Sequence, residues 1–196
     1  MKIGIDVDGC LADFNTDYIA HIVKTTGVDL FPPRPFDIPT WDYPAYYGYT
    51  KEQTAKAWGL VLEHELFWYS LVPYPGVIET LERLSRLRHQ GHDIYFITNR
   101  PGNRSKRQTE SWLQSFGYLG PTVLISADKA GCAHVLSLDA YVDDKWENAV
   151  GVERLGYVNT FLVDRPWNTK YHELQNTQIS RVSSVGVMLN KLKFPA

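Results

Sequence analysis

The 196-residue sequence predicts an α/β fold with a parallel sheet, helices on both faces and a small, mostly helical inserted cap. Short apolar segments alternate with segments whose apolar residues recur at helical spacing, a pattern typical of strands joined by helical crossovers. Hydrophobic residues make up 44% of the chain and charged residues 21%, which excludes intrinsic disorder. The formal net charge of −2 gives no overall basic character for tight, non-specific binding of nucleic acid.

The first part of the chain begins with a strand and a helix and then changes character. Residues 2–6 form a short apolar segment ending at Asp6, and residues 12–26 carry apolar side chains at helical spacing until Gly27. Residues 28–50 contain five prolines and seven aromatic residues. Because proline removes a backbone donor and fixes φ, we expect no long regular structure there.

The rest of the chain alternates more regularly. A capping box at Thr50 and Gln53 predicts a helix up to about His64. The pattern then predicts, in order, a helix from 77 that Gly91 ends, strand 93–98, helix 105–116, strand 122–126, strand 140–142, a helix ending near 156, strand 159–163 and a closing helix over 180–192.

Polar side chains follow several of the predicted strands. In an open parallel sheet, the ligand site lies beyond the carboxyl ends of the strands. The residues expected there are Asp6 and Asp8 after the first strand, Thr98, Asn99 and Arg100 after the second, Lys129 beyond another, and Asp143 and Asp144 after a later one.

These residue types together predict phosphoryl transfer. Carboxylates that converge from separate strands repel one another unless a cation joins them, and hard oxygen ligands favour Mg²⁺ over zinc or copper. The Thr98 hydroxyl, the Lys129 ammonium and the amides of the Asp-Gly turn supply the donors that a phosphate needs. One carboxylate can then attack phosphorus while another transfers protons.

Four ordered motifs resemble those of the haloacid dehalogenase (HAD) superfamily of phosphatases. They are Asp6-Val7-Asp8-Gly9-Cys10-Leu11, the strand ending at Thr98, the single Lys129, and Val142-Asp143-Asp144. A closer similarity, to the 5′(3′)-deoxyribonucleotidases, is carried by the segments at 6–14, 73–76, 126–129, 143–148 and 161–168. The resemblance implies a Rossmann-like HAD core and a Mg²⁺-dependent nucleoside monophosphate phosphatase that forms an aspartyl-phosphate.

The resemblance also implies roles for the carboxylates. Asp6 is expected to be the nucleophile and a Mg²⁺ ligand. Asp8 is expected to be the general acid and base, with its backbone carbonyl on the metal. Asp143 and Asp144 would complete the metal shell, and the sequence leaves open which of them binds directly and which through water.

Thr98 and Lys129 are expected to hold the phosphoryl group. The family has a small residue after the threonine, whereas this chain has Asn99 followed by Arg100, and we expect both to contact the phosphate. This departure and the basic stretch up to Arg107 keep open a 3′-phosphatase that acts on nucleic-acid ends. A non-catalytic nucleotide-binding module is the other alternative, because fold does not fix function.

The aromatic insertion predicts the substrate class. We expect residues 1–14 and 75–196 to form the HAD core, and residues 15–74 to form a cap over the site. A cap excludes water, and an aromatic ring stacked on a base contributes about 1–3 kcal/mol. The ring-bearing residues expected to bind the base are Phe14, Phe67 and Trp68, which lie near the first motif and the end of the cap.

The expected ligands are therefore Mg²⁺ and a small-molecule nucleotide. We expect no stable nucleic-acid partner and no membrane association, since no uncharged apolar run approaches the length of a membrane span. Two cysteines without zinc or disulfide spacing, and a start without an apolar leader, predict a cytoplasmic protein. A homodimer stays open.

Overall fold

A computed structural model describes residues 1–32, 38–171 and 177–194 of the chain. Within these ranges, six strands form one sheet in the order β3-β2-β1-β4-β5-β6, and every neighbouring pair is parallel. The strands are β1 (Lys2–Ile5), β2 (Asp93–Thr98), β3 (Thr122–Ile125), β4 (Ala140–Asp143), β5 (Asn159–Val163) and β6 (Ser180–Val182). The predicted α/β fold with a parallel sheet is confirmed.

The helices connect these strands and cover both faces of the sheet. They are α1 (Phe14–Thr26), α2 (Tyr43–Tyr46), α3 (Lys51–Glu63), α4 (Val77–His89), α5 (Ser105–Ser115), α6 (Lys129–Leu136), α7 (Trp146–Glu153) and α8 (Val185–Lys191), with a 3₁₀ helix over Pro166–Tyr171. None of the helices in the described ranges is both long and apolar enough to cross a membrane.

The predicted closing helix over 180–192 is wrong in its first part. Residues Ser180–Val182 pair with β5 as the edge strand β6. Ser184 then caps α8, because its hydroxyl accepts a hydrogen bond from the amide of Val187 at 3.2 Å. A serine cap within the predicted helix therefore marks where the strand segment gives way to the helix.

Alternate residues of the central strands enter two separate apolar layers. Phe96 and Val142 belong to the larger buried cluster, whereas their neighbours Ile97 and Tyr141 belong to a smaller cluster that includes residues of α6 and α7. Successive side chains of a strand point to opposite faces, so the sheet is covered on both sides. The predicted site residues Asp6, Thr98 and Asp143 stand at the carboxyl ends of its strands.

The segment with the aromatic insertion leaves and rejoins the sheet domain at one place. Ala12 forms an antiparallel bridge with Pro73, flanked by backbone hydrogen bonds from Asp13 to Val72 (2.8 Å) and from Tyr74 to Leu11 (2.9 Å). Buried residues from both sides of this bridge belong to one apolar cluster. The division into a core (1–14 and 75–196) and a cap (15–74) stays a prediction, and parts of it, residues 33–37, 172–176 and 195–196, lie outside the described residues.

Candidate active site

The carboxyl ends of three adjacent strands bring predicted site residues together. Since β1 lies between β2 and β4, Asp6, Thr98 and Asp143 end neighbouring strands at the same edge of the sheet. The Asp6 amide extends the pairing with β4 by donating to the carbonyl of Val142 at 2.9 Å. Lys129 reaches the same edge as the first residue of α6.

A cavity of about 460 Å³ lies at this edge, a volume within the range of small-molecule sites. Its lining contains nine of the eleven predicted site residues: Asp6, Asp8, Phe14, Trp68, Thr98, Asn99, Lys129, Asp143 and Asp144. The other two, Arg100 and Phe67, are buried and lie outside the lining.

The lining also holds residues that the sequence did not single out for the site. These are Tyr18, Trp41, Asp42, Tyr43, Pro44, Thr54, Trp58, Ala127, Lys145 and Asn148. Lys145 and Asn148 stand inside the 143–148 segment that carries the family resemblance, so the signal for them was in the sequence. For the residues of the insertion, the sequence offered only its richness in aromatic residues, which does not indicate Asp42, Pro44 or Thr54.

Asp6 and Lys129 form a buried ion pair at the centre of the site. The Lys129 ammonium lies 2.5 Å from Oδ1 of Asp6 and also donates to the carbonyl of Ile97. Burial raises the pKa of Asp6 to about 7, an effect that Lys129 opposes and the charges of Asp143 and Asp8 reinforce. Burial lowers the pKa of Lys129, but these carboxylates outweigh it and the net shift is upward.

Asp143 is held by donors from its own strand and from α7. Its carboxylate accepts from the Tyr141 hydroxyl, from the Lys145 amide at 2.8 Å and from the Asn148 side chain at 3.1 Å. Burial raises its pKa above the usual range even so, although Lys129 and these donors oppose the shift. The result is a fixed carboxylate in an environment that disfavours its negative charge.

Asp144 is held from the opposite side by the 3₁₀ helix after β5. Oδ2 of Asp144 accepts from the Trp167 indole at 2.9 Å, and its backbone carbonyl accepts from the Asn168 amide group at 2.7 Å. Burial and the charges of Asp143 and Asp6 raise its pKa well above the usual range. Its carboxylate packs so closely on Gly9 that a Cβ there would lie 2.0 Å from Oδ2.

The donor set suits a hard divalent cation. One ligand atom from each of Asp6, Cys10 and Asp144 lies within 4.8 Å of the others, a grouping found among the described residues. Burial, followed by the neighbouring carboxylates, raises the pKa of Cys10 well above its usual range, which favours the neutral thiol. Mg²⁺ prefers hard oxygen donors to sulfur, so the buried carboxylates of Asp6 and Asp144, whose pKa is raised by burial and by neighbouring carboxylates, are the donors that this ion would fit.

The guanidinium group of Arg100 binds both carboxylate oxygens of Asp8, an arrangement that we call the fork. Nη2 of Arg100 lies 2.6 Å from Oδ1 of Asp8, and Nε lies 2.9 Å from Oδ2, while the Thr98 hydroxyl approaches Oδ2 at 3.3 Å. Arg100 is fully buried. The structure thus places Arg100 against the predicted acid and base, whereas the sequence predicts a contact with the phosphate.

Aromatic rings also line the cavity, and we call them the aromatic wall: Phe14, Tyr18, Trp41, Tyr43, Trp58 and Trp68. The Phe14 and Trp68 rings are stacked with centroids 5.8 Å apart, and Trp58 meets Phe14 edge to face at 6.2 Å. Phe67 packs edge-on against both Phe14 and Trp68 from outside the lining. Phe14 and Trp68 therefore line the cavity, whereas Phe67 packs against both rings from outside the lining.

Comparison with known proteins extends this geometry. Residues 1–184 match the family described as 5′ nucleotidase, deoxy (pyrimidine), cytosolic type C protein. The chain belongs to this family. The predicted resemblance to the deoxyribonucleotidases is confirmed. Because nucleotidases hydrolyse phosphate esters, the predicted class of enzyme, a phosphoric monoester hydrolase, is confirmed as well.

Two relatives show sequence similarity to this chain. A provisionally named nucleotidase of Bacillus cereus is 33% identical over 122 residues, which cover 60% of this chain and 60% of that protein. The human mitochondrial 5′(3′)-deoxyribonucleotidase is 24% identical over 156 residues, which cover 74% of this chain and 62% of that protein. The chain thus spans less than two thirds of the length of either relative.

A solved structure shares the fold. A haloacid dehalogenase-like hydrolase of Streptococcus pneumoniae has a TM-score of 0.63 to this nucleotidase family member, with 14% sequence identity over 96% of this chain and 97% of that one. At this identity the likeness shows the fold alone, and it agrees with the predicted α/β fold with a parallel sheet.

Proposed function

We propose that this protein is a Mg²⁺-dependent 5′(3′)-nucleotidase that hydrolyses deoxyribonucleoside monophosphates through an aspartyl-phosphate on Asp6. The observation that carries the proposal is the pairing of buried Asp6 with Lys129 at 2.5 Å in the cavity that Phe14 and Trp68 also line. A nucleophile, a phosphate-binding cation and a surface for a base thus lie in one cavity.

In the first step, Asp6 acts as the nucleophile. An oxygen of its carboxylate attacks phosphorus, the bond from phosphorus to the nucleoside oxygen breaks, and Asp8 gives its proton to that oxygen. Lys129 and the Thr98 hydroxyl lie in the same cavity and would hold the non-bridging phosphoryl oxygens as charge shifts onto them.

In the second step, the proton transfer is reversed. Asp8 takes a proton from a water molecule, whose oxygen bonds to phosphorus as the bond from phosphorus to Asp6 breaks. The products are inorganic phosphate and the original carboxylate on Asp6, with Asp8 protonated for the next cycle. One residue serves as acid and then as base because both reacting oxygens occupy the same side of phosphorus in turn.

The residues that would hold Mg²⁺ are Asp6, Asp143, Asp144 and the backbone carbonyl of Asp8. The ion, when bound, would offset the mutual repulsion of the carboxylates and neutralise charge on the phosphoryl group. Burial and neighbouring carboxylates raise the pKa of Asp6 and Asp144, which supports a cation at this site.

The cavity favours a nucleoside monophosphate over a nucleic-acid end. In the basic stretch that kept the nucleic-acid alternative open, Arg100 is buried on Asp8 and faces no ligand, while Arg104 and Lys106 form exposed pairs with Glu65 and Glu110. Aromatic rings also line the cavity, and these offer stacking surfaces for a base.

The test is phosphate release from a panel of substrates with Mg²⁺ and with EDTA. The panel contains 5′- and 3′-mononucleotides with ribose or deoxyribose, sugar phosphates, and a 3′-phosphorylated oligonucleotide. We expect EDTA-sensitive turnover of deoxymononucleotides and its loss in Asp6→Asn, with Asp93→Asn, at the opposite end of β2, as the matched control. Turnover of the oligonucleotide alone would favour end repair, and a folded protein inactive on the whole panel would favour a binding module.

The intermediate has its own test. In Asp8→Asn, p-nitrophenyl phosphate can still phosphorylate Asp6, since p-nitrophenolate leaves without a proton, but water attack is slowed. We expect acid-quenched Asp8→Asn to carry phosphate on the peptide that contains Asp6. An unmodified peptide under conditions of nitrophenol release would contradict the covalent route.

A further inference from the structure

We propose that Arg100 is a positioning residue, which fixes the carboxyl group of Asp8 for proton transfer and does not bind phosphate. The inference rests on the proposed function and deepens it. It also links the acid and base to the aromatic wall, because Arg100 contacts Asp8 with one part of its guanidinium group and Trp68 with another.

The fork constrains Asp8 in both position and orientation. Two donors of Arg100 contact the two different oxygens of Asp8, at 2.6 and 2.9 Å. A bidentate arginine–carboxylate pair fixes the plane of the carboxyl group as well as its distance. Asp8 itself lines the cavity and Arg100 does not, so the fork supports the carboxyl group from the side away from the ligand.

Arg100 is in turn held by α5 and by the end of the insertion. Its Nη1 donates to the Thr109 hydroxyl at 3.0 Å and approaches the carbonyl of Trp68 at 3.4 Å. The guanidinium carbon lies 5.1 Å from the Trp68 ring centroid. The amide of Trp68 donates to Gln108 on α5 at 2.9 Å. Helix α5 therefore holds both Trp68, through Gln108, and Arg100, through Thr109.

These contacts leave Arg100 without a route to the phosphate. Nε, Nη1 and Nη2 each have a partner in Asp8, Thr109 or Trp68, and the residue has no exposed surface. The predicted phosphate-binding residues that do line the cavity are Thr98, Asn99 and Lys129. Sequence order alone, with Arg100 two residues after Thr98, could not separate these two roles.

The expected kinetic signature follows from which reactions need a proton. A poor leaving group departs only with a proton from Asp8, whereas a good leaving group such as p-nitrophenolate departs without one. If Arg100 orients Asp8, weakening the fork will slow release of the leaving group, measured as kcat/KM, from esters of basic alcohols and phenols far more than from esters of acidic phenols. A lost phosphate contact would lower kcat/KM for all esters alike and raise KM.

The experiment compares wild type with Arg100→Lys on deoxynucleotides and on aryl phosphates of graded leaving-group basicity. We expect kcat for a deoxynucleotide to fall by about 100-fold, near the lower bound for general acid–base catalysis, with KM changed by less than about 3-fold. The plot of log(kcat/KM), which reports the step that releases the leaving group, against leaving-group pKa should become steeper. The burst of nitrophenol should be nearly unchanged, because that release needs no proton from Asp8. Arg88→Lys is the matched control, because Arg88 also contacts a ring (Tyr118) and two carbonyls, but away from the site.

A milder pair of variants keeps the inference testable if Arg100→Lys does not fold. Thr109→Val removes the hydroxyl that accepts from Arg100, and Thr109→Ser restores one. We expect a smaller change of the same kind in Thr109→Val and recovery in Thr109→Ser, with both variants folded by thermal unfolding.

Other outcomes would overturn the inference. A uniform loss of kcat/KM over all esters, with higher KM and weaker inhibition by inorganic phosphate, would make Arg100 a phosphate ligand. An unchanged slope in both Arg100→Lys and Thr109→Val would remove the positioning role. A wild type that turns over aryl phosphates but no nucleotide would overturn the proposed substrate while the slope comparison still decides the role of Arg100. A wild type inactive on every ester would overturn both proposals.

Discussion

Trp167 donates its indole N–H to Asp144 at 2.9 Å, although the two residues are 23 positions apart. The neighbouring Asn168 side chain bonds the Asp144 carbonyl at 2.7 Å and the Val163 carbonyl at 2.8 Å. The short 3₁₀ helix after β5 therefore fixes both the side chain and the backbone of one predicted metal ligand. A contact outside the four motifs helps to build the site.

We predict that Trp167→Phe raises the Mg²⁺ concentration needed for half-maximal activity by about 10-fold. Partners that orient a metal-binding group typically contribute 10–100-fold to metal affinity or activity. The measurement is phosphate release during a Mg²⁺ titration.

The control for Trp167→Phe is Trp112→Phe. Trp112 is also buried and donates its indole N–H, to the carbonyl of Leu71 at 2.7 Å, but it lies on α5 away from the carboxylates. The Trp112→Phe variant should have a lower melting temperature than wild type and an unchanged Mg²⁺ requirement. Equal Mg²⁺ dependence in both variants would show that the Asp144 contact does not tune the metal site.

We predict that Gly9→Ala reduces kcat by at least about 100-fold. Gly9 has a φ of +78°, and an added Cβ would lie 2.0 Å from Oδ2 of Asp144, so that carboxylate must move. Displacing a catalytic group by about 1 Å typically costs about 100-fold in rate. Gly117→Ala separates strain from displacement, because Gly117 has a φ of +89° and open space around it. If the two variants lose activity equally, the clash with Asp144 is not the cause.

We predict different effects for Phe14, which belongs to the aromatic wall, and Phe67, which packs against it. Phe14→Leu should raise KM for deoxynucleotides by about 10-fold, since Phe14 lines the cavity and a stacked base contributes about 1–3 kcal/mol. Phe67→Leu should mainly lower the melting temperature, because Phe67 packs behind Phe14 and Trp68. Steady-state kinetics on a deoxynucleotide and on p-nitrophenyl phosphate distinguish them, and a larger KM effect from Phe67→Leu would reverse the assignment.

We predict that His21 lowers stability in mild acid. Burial is the main cause of its pKa being below the usual 6.5, with His64 and Lys24 adding to the shift, while the hydrogen bond to the Ala57 carbonyl opposes it. The folded state thus binds the proton more weakly than the unfolded state, so this contribution to stability is complete above the unfolded pKa and is lost as pH falls below it.

The measurement for His21 is the free energy of unfolding by urea at several pH values between about 7 and about 5. His21→Gln should show a shallower loss of stability than wild type over this interval. His89→Gln, at an exposed position at the end of α4, should retain the wild-type slope. Parallel curves for wild type and His21→Gln would contradict the prediction.

The sequence predicts the fold and the motif residues because both depend on local order. The strand ends carry Asp6, Thr98 and Asp143. In a parallel sheet these ends lie at one edge, independently of the conformation of the loops. The β6 strand was predicted as helix, since three residues are too few for strand alternation to be recognised.

What the sequence could not predict depends on direction in space. Arg100 stands next to the phosphate motif in the chain, yet its side chain turns to Asp8 and α5. Trp167 and Phe67 show the same limit, because their partners are set by how the 3₁₀ helix and the end of the insertion pack. Spacing indicates which residues are near in sequence and leaves the rotamer undetermined.

The bridge between Ala12 and Pro73 has an evolutionary consequence. Residues 13–72 depart and return through paired backbone beside the strand that carries Asp6, so the part of the loop before Trp68 can lengthen, shorten or be exchanged without shifting that strand. A chimera that keeps this pairing and the contacts of Trp68 with Arg100 and Gln108, and receives a different insertion before Trp68, would inherit the same chemical step. Its choice of leaving group would change, and new substrates could evolve by replacing one contiguous piece of chain.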